Sequence, residues 1–182
     1  MGVIDTLRTN SEAANNEIII HFELRDRVLL GFIAAVGTLI SIALSRAHNE
    51  ILFSIPYLAL GCSILVSQHN LLIGTLLDYV SNEVGPFIKQ NLSEEYAPQY
   101  QTSKAYKRDA VKALKFRLYG HSIIITGPCL LALVLNINYT LNPISAYGLI
   151  WWTSLICSIG AGCLIIGGHI KRIRIKQKDH NN

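Results

Sequence analysis

At 182 residues, 51% hydrophobic and 15% charged, the chain has the composition of an ordinary soluble domain, so composition alone excludes little. The placement of charge excludes more. No Asp, Glu, Lys or Arg occurs in 28–45, 51–77 or 118–170, the last a run of 53 residues, and such runs leave too little chain to cover them in water. A net charge of +4 distributed in this way reads as membrane topology rather than affinity for nucleic acid.

Residues 1–27 are expected to be a cytoplasmic helix from Ser11 onward, with Ser11 as N-cap and Glu23–Arg27 as an i,i+4 ion pair. Ile18, Ile19, Ile20, Phe22 and Leu24 make this segment too apolar for a free tail, so it should pack on other helices and run into the first span. Its polar start does not resemble a cleavable signal, which leaves the first apolar stretch as an uncleaved targeting segment.

The apolar runs predict four transmembrane helices near 28–45, 51–68, 119–137 and 146–168. Eighteen helical residues span about 27 Å, close to the roughly 30 Å hydrocarbon core. The long third run divides at Asn136, Asn138, Asn142 and Pro143, a cluster of turn formers. The expected fold class is an all-α integral membrane protein. Two helical hairpins, 28–68 and 119–168, carry cytoplasmic amphipathic extensions in 1–27 and 69–118, and 169–182 is a basic cytoplasmic tail.

Orientation follows from the cations. Fifteen of the sixteen Lys and Arg residues lie in 1–27, 81–117 or the tail, and Arg46 alone falls in a short connection. Both termini and the central segment are therefore expected in the cytoplasm, at a cell (inner) membrane. Tyr139, Tyr147, Trp151 and Trp152 then fall near the outer interface, where amphipathic rings prefer to sit.

Beyond the second span the helix is expected to continue as an amphipathic extension. One face carries Asn70, Asp78 and Ser81 with Gly74 between them, and the other Leu72, Leu76, Tyr79 and Val80. It should stop at Gly85–Pro86, leaving 85–102 as loop or short helices. A second extension from Ser103 presents Lys104, Arg108, Lys112 and Lys115 on one stripe and Tyr106, Ala110 and Leu114 on another. Together with Lys171, Arg172 and Arg174 of the tail, these cations are expected to contact anionic lipid headgroups, each worth about 1 kcal/mol.

Small residues recur every fourth position: Gly37, Ser41 and Ser45, then Ala59, Ser63 and Ser67, then Ser154, Ser158 and Gly162. Such faces let helix backbones approach closely, and they predict a tight bundle or a homo-oligomer. Gly127–Pro128 predicts a kink in the third span, with freed carbonyls met by neighbouring helices or Thr126. Cys62, Cys129, Cys157 and Cys163 lie in apolar runs and read as small packing residues.

The conspicuous polar cluster is Gln68–His69–Asn70. His69, Asn70 and Asp78 form a candidate ligand or pH-sensing group, because imidazole titrates near neutrality. The plainer reading is that this tripeptide marks where the helix leaves lipid. Arg117 and His121, four apart, read as a snorkelling arginine and an interfacial histidine. No span centre bears Asp, Glu, Lys or Arg, which argues against ion-coupled transport. Catalytic, metal-binding and cofactor motifs are absent, and neither a phosphate cradle nor a stacking platform favours nucleic acid.

The expected function is a small non-catalytic membrane protein, self-associating as an effector, scaffold or accessory component. A cytoplasmic protein partner would dock on the extensions. The alternative is a passive channel or facilitator for a small neutral solute or ion, lined by Thr38, Ser41, Thr126 and Ser154. An enzyme would need His21, His69, His121, Asp78 or Glu83 gathered in one cleft.

Overall fold

The structure, a computed structural model, describes residues 3–46, 48–91 and 104–181; at 3–5, 7, 8, 46, 81, 88, 89, 91, 104–115, 169 and 171–181 it describes the backbone alone. Every element among the described residues is helical.

Helix α1, Val3–Arg46, is a single helix of 44 residues, about 66 Å long. Ser11 does not cap it; it is buried inside it. The chain has neither Gly nor Pro from 3 to 30, so nothing punctuates the helix there. One buried seam follows it instead: Ser11, Ile18, Arg25 and Phe32 recur at sevens, interleaved with Ala14, Leu29, Val36 and Ala43. Arg27 and Glu23 make the expected ion pair at 3.5 Å.

A 3₁₀ turn, Asn49–Phe53, leads into α2, Ser54–Tyr79. Gly85–Pro86 does not end the helical run. A π-helical turn, Val80–Val84, passes directly into α3, Gly85–Asn91. The Gly85 N–H reaches back to the Val80 carbonyl, a wider i→i−5 bond. Proline has no N–H to give and its ring crowds the preceding turn, so the wider turn accommodates what an α-turn would not.

Helix α4, Lys104–Leu135, contains Pro128. Thr126 Oγ donates to the Ser122 carbonyl at 2.6 Å, so it does not meet the Ile124 carbonyl that proline leaves without its usual donor. The end of α4 is sealed by side chains. Asn136 Nδ2 donates to Ala132 O at 2.9 Å and Trp151 Nε1 to Leu133 O at 3.1 Å, satisfying two of the carbonyls orphaned at a helix C-terminus. A 3₁₀ turn, Ile137–Leu141, then leads to α5, Ala146–Asn181. Ser145 Oγ accepts the Gly148 N–H at 3.0 Å, an N-cap contact. A Cβ at Gly148 would collide with the Asn142 carbonyl, so this entry to α5 requires glycine.

Helix α2 is the centre of the molecule, packing on α1, α4 and α5, whereas α1 leans almost wholly on α2. The core joins Leu29, Phe32 and Val36 of α1 with Ala59 and Val66 of α2, Ile125 and Cys129 of α4, and Ile165 of α5. At Gly168, α5 passes close to α2: a Cβ there would stand 2.7 Å from Ser67 Oγ. Tyr57 and Thr153 join the same two helices at 2.6 Å; Thr153 donates to Leu149 O, so the tyrosine is the donor.

The outer surface is apolar. Leu30 is 66% exposed, Leu44 79%, Ile123 70% and Ile156 67%. Apolar area on this scale far exceeds the patches that soluble monomers present. Four helical stretches, within Thr9–Ser45, Asn49–Phe87, Phe116–Leu135 and Ala146–Gly168, are long and apolar enough to cross a membrane. These features are those of a multi-pass membrane protein.

Candidate functional site: a polar layer and an outward small-residue face

Three places depart from plain apolar packing. The first is a polar layer between α1 and α2, far from the turn that joins them. His21 lies 25 residues before the end of α1, about 37 Å along the axis, which exceeds a roughly 30 Å hydrocarbon core measured from the turn. There His21 Nδ1 and His69 Nδ1 stand 3.1 Å apart, with ring centroids at 5.3 Å. His21 Nε2 lies 3.6 Å from the Glu17 carboxylate, one turn back.

One turn along the seam, Arg25 occupies a position where the spacing calls for an apolar residue, and it is only 2% exposed. Its Nε and one terminal nitrogen donate to Asp26 Oδ1 at 3.0 and 2.7 Å, and the other reaches Asn70 Oδ1 at 3.4 Å. The guanidinium also lies 5.0 Å from the Phe22 ring centroid, and Arg117 of α4 approaches the same ring at 5.4 Å. Such cation–π contacts help hold the charges in a partly desolvated setting. Asn70 is 1% exposed, and its Nδ2 has no hydrogen-bond partner among the described residues. A buried amide left so costs on the order of 1–3 kcal/mol.

The second place is the outward face of α1. Gly37 and Ser41 point away from the bundle, and a Cβ at Gly37 would meet nothing within 4 Å. Ala34, Gly37, Thr38, Ser41, Ile42 and Ser45 line a shallow groove of about 620 Å³. Its hydroxyls bond internally: Thr38 to Ala34 O at 2.9 Å, Ser41 to Gly37 O at 2.9 Å, and Ser45 to Ser41 O at 2.7 Å. The face is therefore small in profile without presenting unsatisfied donors to lipid.

The third place is the turn end, where two connections are clamped together. Tyr139 donates to Glu50 Oε1 at 2.6 Å, Asn136 Nδ2 donates to Asn49 O at 2.9 Å, and Tyr139 stacks between Phe53 and Tyr147. The Tyr139 hydrogen bond, helped by a backbone N–H and by His48, holds the Glu50 carboxyl below its ordinary 4.5 and raises the Tyr139 phenol above 10. A depressed carboxyl stabilises its contact above the ordinary value and loses it as pH falls through the lowered one. Tyr139→Phe should accordingly speed amide exchange of 49–53 by about threefold or more at pH 7, with the difference from wild type shrinking as the pH falls through the lowered carboxyl value.

The remaining expected sites distribute unevenly. Ala59 and Ser63 are buried in α2, and Ser154 and Ser158 in α5. A Cβ at Gly162 would come into ordinary contact with the Thr126 methyl of α4, so this position faces that helix. Two of the three small-residue ladders are thus spent on packing within the chain, while that of α1 is not. Asp78 does not join His69 and Asn70; it accepts from Asn82 Nδ2 at 2.6 Å, farther along the helix. Nor do the faces of the α2 extension divide as expected: Asn70, Gly74 and Val80 turn inward and Leu72 outward.

His121 is buried on α4 and Glu83 is exposed, so of the five candidate catalytic groups only His21 and His69 are shown in contact. The hydroxyls proposed to line a channel are dispersed, with Thr38 and Ser41 on the exposed side of α1 and Ser154 fully buried. All four cysteines are free thiols. The side chains of Lys104, Tyr106, Arg108, Ala110, Lys112, Leu114, Lys115, Lys171, Arg172 and Arg174 lie outside the described residues.

No protein-family model, curated protein or solved structure matches the chain. The class therefore rests on its own geometry, that of a multi-pass membrane protein with four long apolar helices.

Proposed function

We propose that this is a non-catalytic component of the cell (inner) membrane that self-associates through α1 and serves as an effector, scaffold or accessory protein. The observation that carries the reading is the outward Gly37–Ser41–Ser45 face, left open on the helix that packs mainly on α2. Small residues at that spacing allow backbones to approach, and a second copy of α1 presents the same profile. The segregation of Lys and Arg supports two helical hairpins with both termini and 69–118 in the cytoplasm. On that side, the cations of 104–115 and of the tail would rest on anionic headgroups, and a cytoplasmic protein partner would meet the extensions.

The test is native mass measurement of the full chain released from lipid nanodiscs of several compositions. A defined oligomer is expected throughout, and a monodisperse monomer in every lipid would overturn the proposal. Ion flux in liposomes distinguishes the channel alternative, since a scaffold gives none.

A further inference from the structure

The His21–His69 contact has a proton requirement of its own. A hydrogen bond between two Nδ1 atoms at 3.1 Å needs one nitrogen to carry a proton and the other a lone pair. Neutral and singly protonated pairs meet that condition; a doubly protonated pair cannot, and instead opposes two charges across one van der Waals contact.

The neighbours make the second charge harder to accept. On α1, the Glu17 carboxylate lies 3.6 Å from His21 Nε2, while Arg25 adds a buried positive charge whose carboxylate partner is Asp26. Helix α4 brings Arg117 over Phe22, with His121 one turn on. Helix α5 approaches at Gly168, where Ile166 and Ile170 are uncharged and the side chains of His169 and Lys171 lie outside the described residues. Of these groups, His21 and Arg25 are the charges that act on His69. Partial burial, then His21, then Arg25 push His69 below the ordinary 6.5, consistent with His69 as the neutral acceptor. A cation other than a proton fits poorly beside that guanidinium, and no group of three His, Cys, Asp or Glu residues among the described residues could hold a metal ion.

We propose that His21 and His69 form a proton-operated latch, closed while at least one imidazole is neutral and opened when both are charged, releasing the first half of α1 from α2. The sign follows from linkage. A histidine lowered in the packed state stabilises that state above 6.5, and the contribution is lost as pH falls through the lowered value. Both rings are only partly buried, so protons reach them without prior opening. The latch lies within one chain and does not depend on self-association.

The experiment is amide exchange of 11–27, corrected for intrinsic rates, on the full chain at one copy per lipid nanodisc with a metal chelator present. Between pH 7.5 and 5 the wild type should exchange there about tenfold faster, with 54–66 unchanged. His69→Gln, which keeps a polar side chain but cannot charge, should abolish the acid response; His21→Gln serves the same purpose if that variant does not fold. His69→Lys should exchange rapidly already at pH 7.5. A wild type indifferent to pH, or an acid response undiminished in a glutamine variant, would overturn the latch. Opening on addition of chelator at pH 7.5 would do the same, since a metal would then be holding the pair.

Discussion

The double substitution Gly37→Leu/Ser41→Leu is expected to raise the dissociation constant of the membrane-embedded oligomer at least about tenfold, about 1.4 kcal/mol. Both residues face outward, and nothing lies within 4 Å of a Cβ at Gly37, so the monomer gives up only the Ser41 hydroxyl's bond to the Gly37 carbonyl within its own helix. The bulk falls wholly on whatever approaches α1. Ala59→Leu provides the contrast: Ala59 is fully buried in α2, and overpacking there should cost about 1–3 kcal/mol of fold stability. Mass measurement and thermal unfolding on the same samples separate the two effects. Should the leucine pair leave the oligomer intact, α1 is not the interface.

Asp26→Asn is expected to destabilise the protein more than Arg25→Met, although arginine is the larger and more buried residue. Removing the negative charge leaves a guanidinium that is 2% exposed with neutral amide oxygens in place of its carboxylate partner. Removing the arginine takes the charge away and leaves a methionine to fill the seam. Breaking one side of a buried pair commonly costs several kcal/mol. Asp26 is well exposed, however, and solvent screening reduces the expected loss to about 1–2 kcal/mol. Arg25→Met should stay within about 1 kcal/mol of wild type. Arg25→Met/Asn70→Leu should be more stable still, since it also removes the amide Nδ2 without a described partner. At this chain length 1 kcal/mol corresponds to roughly 2–4 °C in melting temperature. If Arg25→Met proves the costlier change, the account of the buried charge is wrong.

Much of the fold was legible because charge-free runs and turn formers are first-order signals. The four spanning segments and the break near Asn136–Pro143 fall where composition places them. The continuity of α1 into the first span was legible too, but its start was not, since the helix begins at Val3 and Ser11 lies inside it. Reading Arg25 only as a topological cation hid that it sits in the buried seam between Ile18 and Phe32. The π-turn before Pro86 was not legible, because a proline's local rule predicts a stop and only backbone geometry shows the detour.

The polar layer was half visible. His69 and Asn70 stood out, but their partners lie 48 and 45 residues away in the chain, and only the pairing register of α1 with α2 selects His21 and Arg25. The same limit applied to the small residues. All three ladders look alike in sequence, and which of them faces outward depends on the order of the helices around α2.

Because α1 runs unbroken from Val3 to Arg46, the histidine end and the groove end belong to one stiff lever. With the fulcrum at the turn between α1 and α2, a swing of about 10° carries His21 roughly 6 Å sideways over its 37 Å arm. The same rotation reorients the Gly37–Ser41 notch without any change in its own conformation. Acidity sensed on one surface of the bilayer would thus be converted into steric fit inside it.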